Sequence, residues 1–133
     1  THPAMVKLVW QALGPRRLNL VTDAMAALGM PPGKHLLGDY EVDVDGVTCR
    51  LADGTLAGSI LFMDEALRNL IALAGCTLEE ALQTITTTAA RAIGLEHERG
   101  QIAPGFVADL ALLSPDLRVR GAFVAGDLVY TAE

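Results

Sequence analysis

Apolar positions first recur at helical spacing over residues 3–13, PAMVKLVWQAL, where Met5, Val6, Val9, Trp10 and Leu13 fall on one side. Pro3 suits a first turn, since the N–H it lacks would have no partner there, and Gly14-Pro15 ends the run. An amphipathic helix is predicted. The period then changes: RRLNLVTD, residues 16–23, sets a short apolar run behind two arginines with no helix-length continuation. That pattern predicts a buried strand over Leu18 to Thr22, and a helix feeding a buried strand is half of an α/β unit.

Residues 24–33, AMAALGMPPG, carry two glycines and a Pro-Pro pair and predict a loop at the strand's carboxyl end, where α/β folds keep their chemistry. Asp45-Gly46 and Asp53-Gly54 then divide partly alternating stretches, predicting strands near residues 35–44 and 47–51. Over residues 60–74, Leu61, Leu67, Leu70, Ile71 and Ala74 return to helical spacing, with Gly75 as the stop. Thr77 and Glu80 form a capping-box pattern for a second helix over residues 78–93. After Gly94, β-like runs at Phe106 to Leu113, Arg118 to Val124 and Leu128 to Tyr130 alternate with Pro-Gly, Ser-Pro-Asp and Ala-Gly-Asp turns, which predicts a small sheet.

Composition narrows the class. A chain of 133 residues suits one compact domain, and 51% hydrophobic against 20% charged residues is too apolar for disorder. It is also richer in buried-type residues than a small domain needs, so some apolar surface is expected to meet another surface. No apolar run approaches the roughly 18–20 residues of a membrane span, and THPAMVKLVW lacks the basic start of a signal peptide; a soluble, cytoplasmic protein is expected. The formal net charge is -6 and the ten Lys and Arg are scattered, which argues against nucleic acid and anionic membrane as partners. Cys49 and Cys76 have no C-x-x-C spacing and read as reduced thiols rather than a disulfide or metal site.

Asp23 is the sharpest local feature. A carboxylate directly after LNLVT is costly at the end of a buried strand unless it pairs, holds a metal or meets solvent at a cleft. A helix cap or Asx turn is the commoner role for such a residue, although the sequence after it is only weakly helical. In DGTLAGS, residues 53–59, small residues allow a backbone to approach a ligand, and Ser59 could cap a helix beginning at Ile60. The string lacks the GK[ST] ending of a phosphate loop. His2, His35 and His97 are far apart without metal-ligand spacing, and Arg91 near a helix end reads as structural.

Taken in order, LVTDAM, DGTLAGS leading to MDEALRNL, TTTAARAIGL, GQIAPGFVADLALL and a closing VAGDLVY resemble the carboxyl-terminal part of the N-acetylglucosamine-6-phosphate deacetylase family, within the amidohydrolase superfamily. The resemblance covers nearly the whole chain. The PG-x-x-ADL ending is shared by many amidohydrolases, whereas LVTDA with GTLAGS points to the deacetylases. A fold is implied: α/β, the carboxyl-terminal part of a metal-dependent (β/α)8 barrel plus part of a small β-sandwich. Residues 1–93 would supply a helix, the eighth strand, a hairpin insertion and the following helices, and residues 94–133 the sandwich strands. A complete barrel needs at least about 200 residues, so only a portion is expected here.

The same resemblance implies hydrolysis of the N-acetyl group of N-acetylglucosamine 6-phosphate to glucosamine 6-phosphate and acetate, a small amino-sugar phosphate being the partner. Asp23 matches the aspartate that takes a proton from a metal-activated water and returns it to the departing amine. Leu56, Ala57 and Gly58 match a loop that closes on the acetamido group. The cofactor implied is a divalent metal, zinc or iron, in the complete enzyme. Asp23 could be one ligand, but the family's glutamate and two histidines, and its substrate-polarising histidine upstream of His2-Pro3, are absent from this chain. His2 is therefore not assigned as a ligand, and the chain alone is expected to bind no metal and to be inactive. The alternative is a non-catalytic remnant. Because an opened barrel exposes a strand edge at residues 18–22, self-association into a homo-oligomer is expected.

Overall fold

In the computed structural model, which describes residues 1–46 and 48–132, the helix predicted over residues 3–13 forms over those residues as α1 (Pro3–Leu13). His2 caps it, its Nδ1 accepting the Ala4 N–H at 3.2 Å, and Gly14 ends it at φ 62°. The chain divides into two compact units, one made of Thr1–Leu20 with everything from Leu67 onward, the other Val21–Ala66.

The first unit is organised by α2 (Met63–Ala74), α3 (Leu78–Ile85) and α4 (Thr87–Ala92). Leu67, Leu70, Cys76 and Ala81 are buried in its core, with Val6 and Trp10 of α1 and Leu18, Leu20, Ile71 and Leu82 packed against them. Burying a leucine of this kind stabilises by roughly 1.5–3 kcal/mol, so the i, i+3, i+4 spacing of Leu67, Leu70 and Ile71 is what fixes α2. The capping box forms: the Thr77 hydroxyl accepts the Glu80 N–H at 3.2 Å, and the Glu80 carboxylate accepts the Thr77 N–H at 2.9 Å. The single helix expected over residues 78–93 is instead two, broken at Thr86 (φ −122°, ψ −92°). The cause is the threonine run. Its β-branched side chains crowd a helix, and the Thr84 and Thr86 hydroxyls donate back to the carbonyls of Ala81 and Leu82.

The predicted tail sheet is present in the same unit: β4 (Leu110–Leu113), β5 (Val119–Val124) and β6 (Asp127–Thr131), antiparallel in that order. Its first strand is shorter than the expected 106–113, because the Val107 N–H is taken by the Glu98 carbonyl before the ladder begins. The buried strand expected over Leu18 to Thr22 does not form. A buried parallel strand is held by ladders on both sides, whereas here, among the described residues, the main-chain bond from the Leu20 N–H to the Thr84 carbonyl is joined only by the Leu18 N–H on the Gly14 carbonyl and the Ser59 hydroxyl on the Thr22 carbonyl, which make no ladder. Burial alternates along this stretch, with Leu18 and Leu20 half-buried and Asn19 and Val21 exposed.

The second unit carries β1 (Gly33–Leu37), β2 (Tyr40–Val44) and β3 (Cys49–Leu51) as an antiparallel meander. The strand expected over 35–44 is a hairpin, with Leu37 opposite Tyr40 across Gly38-Asp39 and Gly38 at φ 59°, which suits a two-residue loop. Position 47, the expected start of the next strand, lies outside the described residues. Met25, Ala27, Val42, Val44 and Cys49 are the buried core, covered by Leu37, Leu51, Ala57 and Ile60. The architecture is therefore α/β with two small antiparallel sheets. Among the described residues no helix is long and apolar enough to cross a membrane.

Candidate functional site

The sharpest site lies within the second unit, where residues 22–25 meet residues 57–59. Ala24 and Ser59 form an isolated parallel bridge, in which Met25 N–H donates to Ser59 O and Ser59 N–H donates to Asp23 O, both at 2.8 Å. The Ser59 hydroxyl donates to the Thr22 carbonyl at 2.5 Å and accepts the Leu61 N–H at 3.1 Å. Ser59 is thus not the cap of a helix at Ile60: α2 starts at Met63, and the hydroxyl is spent on tying two distant segments together.

Asp23 sits inside this tie with φ 52°, in the left-handed region that costs a side-chain-bearing residue about 1–2 kcal/mol. Aspartate tolerates it better than most residues. Its carboxylate is exposed and takes no side-chain partner among the described residues. That excludes the helix-cap role, since no helix follows it, and leaves the carboxylate open to solvent.

The loop carrying Leu56, Ala57 and Gly58 reaches the same place. Asp53 Oδ1 accepts the Thr55 N–H at 2.9 Å, Arg50 donates to the Gly54 carbonyl at 2.8 Å, and Ala57 N–H donates to the Cys49 carbonyl at 2.9 Å. Hydrogen bonding by the Thr55 amide holds the Asp53 carboxyl below its usual range. Leu56 is exposed, Ala57 packs on the core, and Gly58 lies against Asp23: a Cβ there would stand 3.1 Å from the Asp23 carbonyl oxygen, at φ 90°. A side chain there would be strained by the positive φ and would press on that oxygen, which favours glycine. Asp23 and Gly58 are therefore adjacent, and Leu56 and Ala57 follow within the same short loop.

The remaining candidates are dispersed. His2 caps α1 and His35 Nε2 lies 2.9 Å from the Pro31 carbonyl oxygen. Arg91 stands in the last turn of α4, where its charge complements the helix end. Cys49 and Cys76 are free and buried, and burial pushes the Cys76 thiol above its ordinary pKa. No three His, Cys, Asp or Glu side chains converge among the described residues. Protein metal sites take about three or four such ligands, so these residues do not fit a metal ion by themselves. Sequence reasoning missed Thr22 and the true role of Ser59, since a hydroxyl reaching across 37 residues leaves no local pattern.

Comparison with known proteins places these residues in context. Residues 59–124 match the Amidohydrolase family. Over 134 aligned positions the chain is 40% identical to the N-acetylglucosamine-6-phosphate deacetylase of Bos taurus, covering 100% of this chain and 32% of that protein. It is 34% identical to the Bacillus subtilis deacetylase, covering 100% of this chain and 34% of the relative. The chain thus spans about a third of the length of the curated relatives it matches. Among solved structures, the Thermotoga maritima deacetylase superposes with TM-score 0.89 at 38% identity, covering 98% of this chain and 36% of that one. A Mycobacterium smegmatis deacetylase, an aspartate-to-alanine mutant in complex with N-acetyl-D-glucosamine-6-phosphate, gives 0.88 at 37%, covering 98% and 35%.

Proposed function

This chain is homologous along its whole length to N-acetylglucosamine-6-phosphate deacetylases of the amidohydrolase family, and on that premise we propose that it is one section of such an enzyme, contributing Asp23 as the proton carrier. The reaction is amide hydrolysis. Water adds to the acetyl carbon, the C–N bond breaks, and acetate leaves glucosamine 6-phosphate behind. Asp23 accepts a proton from the attacking water and delivers it to the amine nitrogen, which departs neutral. Leu56, Ala57 and Gly58 give the acetamido group a close, small-residue wall. The observation that supports this reading is the close approach of Gly58 to the Asp23 main-chain oxygen, at a residue whose side chain is exposed.

In the whole enzyme residues 1–93 belong to a (β/α)8 barrel and residues 94–133 to a β-sandwich. A divalent metal, zinc or iron, supplies activation of the water when bound. Since no ligand set converges among the described residues, its other ligands come from outside them and Asp23 is at most one. The 133 residues alone are inactive, and the complete enzyme works in the cytoplasm on a small amino-sugar phosphate. The test is Asp23→Asn in the full-length protein. Acetate release from N-acetylglucosamine 6-phosphate should fall by about 10²–10⁴-fold, the usual worth of a proton-transfer group; near-normal turnover would remove the role.

A second reading has its own observation. Val21, Leu36, Tyr40, Ile93, Ile102 and Val129 are large apolar side chains left mostly exposed, which favours a non-catalytic piece that associates with copies of itself.

A further inference from the structure

We infer that Ser59 is a positioning residue that sets the direction of the Asp23 carboxylate, an inference that rests on Asp23 being the proton carrier. The direction in which the Cα–Cβ bond leaves the flanking chain, from which the carboxylate extends, follows from φ and ψ, and these are fixed by the two peptide planes on either side of the Cα. Both planes flanking Asp23 are held by this one residue. The Ser59 hydroxyl donates to the Thr22 carbonyl at 2.5 Å, which holds the plane before Asp23 and hence φ. The Ser59 N–H donates to the Asp23 carbonyl at 2.8 Å, which holds the plane after it and hence ψ. A third bond, from Met25 N–H to Ser59 O at 2.8 Å, closes the ring.

The hold is needed because φ at Asp23 is 52°, a conformation that an unrestrained L residue leaves. Ser59 also follows Gly58 directly, so the wall facing the substrate and the proton carrier share one anchor: a shift of either drags the other. The Leu61 N–H, bonded to the same hydroxyl, orients it toward Thr22. Proton transfer demands hydrogen-bond reach, and misplacement by about 1 Å costs on the order of 10²-fold in rate.

The experiment uses the full-length protein with Ser59→Ala, Ser59→Cys, Ser59→Thr, Asp23→Asn and the double variant Asp23→Asn/Ser59→Ala. Readouts are kcat and KM on N-acetylglucosamine 6-phosphate and the thermal midpoint. The alanine and cysteine variants keep both main-chain bonds and lose the strong hydroxyl donor. Each should lower kcat about ten- to a hundredfold, with KM within about twofold and a midpoint within a few degrees. Threonine, which keeps the hydroxyl, should restore kcat to within about threefold. The double variant should fall no further than Asp23→Asn alone, because Ser59 acts through that carboxylate. An inactive Asp23→Asn beside fully active Ser59→Ala and Ser59→Cys overturns the positioning role and leaves the proton carrier standing. A threonine variant as poor as alanine overturns it too. Active Asp23→Asn overturns the proton-carrier reading, and the positioning role with it.

Discussion

The Asp109 carboxylate holds the Ala125 backbone: its Oδ1 accepts the Ala125 N–H at 2.8 Å, and its Oδ2 pairs with Arg99. Ala125 stands at φ 51° and Gly126 at φ 91°, so the carboxylate props up the left-handed turn between β5 and β6. Gly126 N–H donates to the Ala108 carbonyl at 3.0 Å beside it. Asp109 is the aspartate of PGFVADL, and its geometry gives that string a structural job rather than a chemical one. Asp109→Ala should therefore lower stability by about 0.5–1.5 kcal/mol, the net worth of a hydrogen bond whose freed donor meets water. Ala125→Gly should raise it by up to about 1 kcal/mol, the relief of about 1–2 kcal/mol at the positive φ less the roughly 0.4–1 kcal/mol that glycine's freedom costs through the unfolded chain. Urea midpoints of the two variants check both signs, and an Asp109→Ala midpoint equal to the parent's would remove the structural assignment.

Gly100 is the tightest glycine of the chain. A Cβ on it would stand 2.9 Å from the Thr86 carbonyl oxygen and 3.0 Å from the Ala90 Cβ, and φ is 87°. Backbone strain and overpacking then act together, and Gly100→Ala should cost about 1–3 kcal/mol or more. Thermal unfolding reads this directly; an unchanged midpoint would mean that the turn after α4 is able to move away.

Stability should decline toward both ends of the pH scale through exposed groups. The Ser114 hydroxyl holds the Asp116 carboxyl below its ordinary range, and the Thr55 amide does the same for Asp53. A carboxyl with a depressed folded pKa stabilises fully above its unfolded value, about 3.9, and that contribution is lost as pH falls through the folded pKa. At the other end, the hydrogen bond from Lys34 to Glu41, 2.6 Å, raises the lysine. Its contribution is full below about 10.4 and is lost as pH rises through the folded value. A urea midpoint that is level near pH 6 and falls once the pH drops below about 4 is the expected trace, and Asp116→Asn should flatten part of that acid limb. An acid limb identical in that variant would remove Asp116 from the account.

Much of this was legible because it is local. Helix α1 follows from Pro3, an amphipathic repeat and Gly14, and the capping box at Thr77 and Glu80 is written in four residues. The same holds for the turns of the tail sheet. What escaped was non-local or a conflict between signals. Threonine hydroxyls bonding their own helix broke residues 78–93 at Thr86, though the hydrophobic repeat ran through. Gly38-Asp39 carried a hairpin signal that the surrounding alternation obscured. Leu18 to Thr22 had strand composition, but a ladder needs partners, and composition cannot supply them. At the site, Asp23 and the 56–58 loop could be named from the resemblance. Their junction through Ser59 and Thr22 could not, because it depends on a bond between residues 37 apart.

The last prediction concerns association. In the sheet order β4-β5-β6, β6 is an edge, and every residue of it is exposed, with Leu128, Val129 and Tyr130 all more than half accessible. An edge strand with free N–H and C=O groups and apolar side chains on both faces is a template for another chain. Ile102, 92% exposed, adds to the uncovered apolar area of the same unit. The 133-residue chain at micromolar concentration should therefore sediment as a dimer or larger. Val129→Lys, which places a charge on that edge without touching a buried residue, should shift it toward monomer. A parent chain that sediments as a well-ordered monomer would dismiss the self-associating reading, whereas a charge-sensitive oligomer would locate the contact at β6.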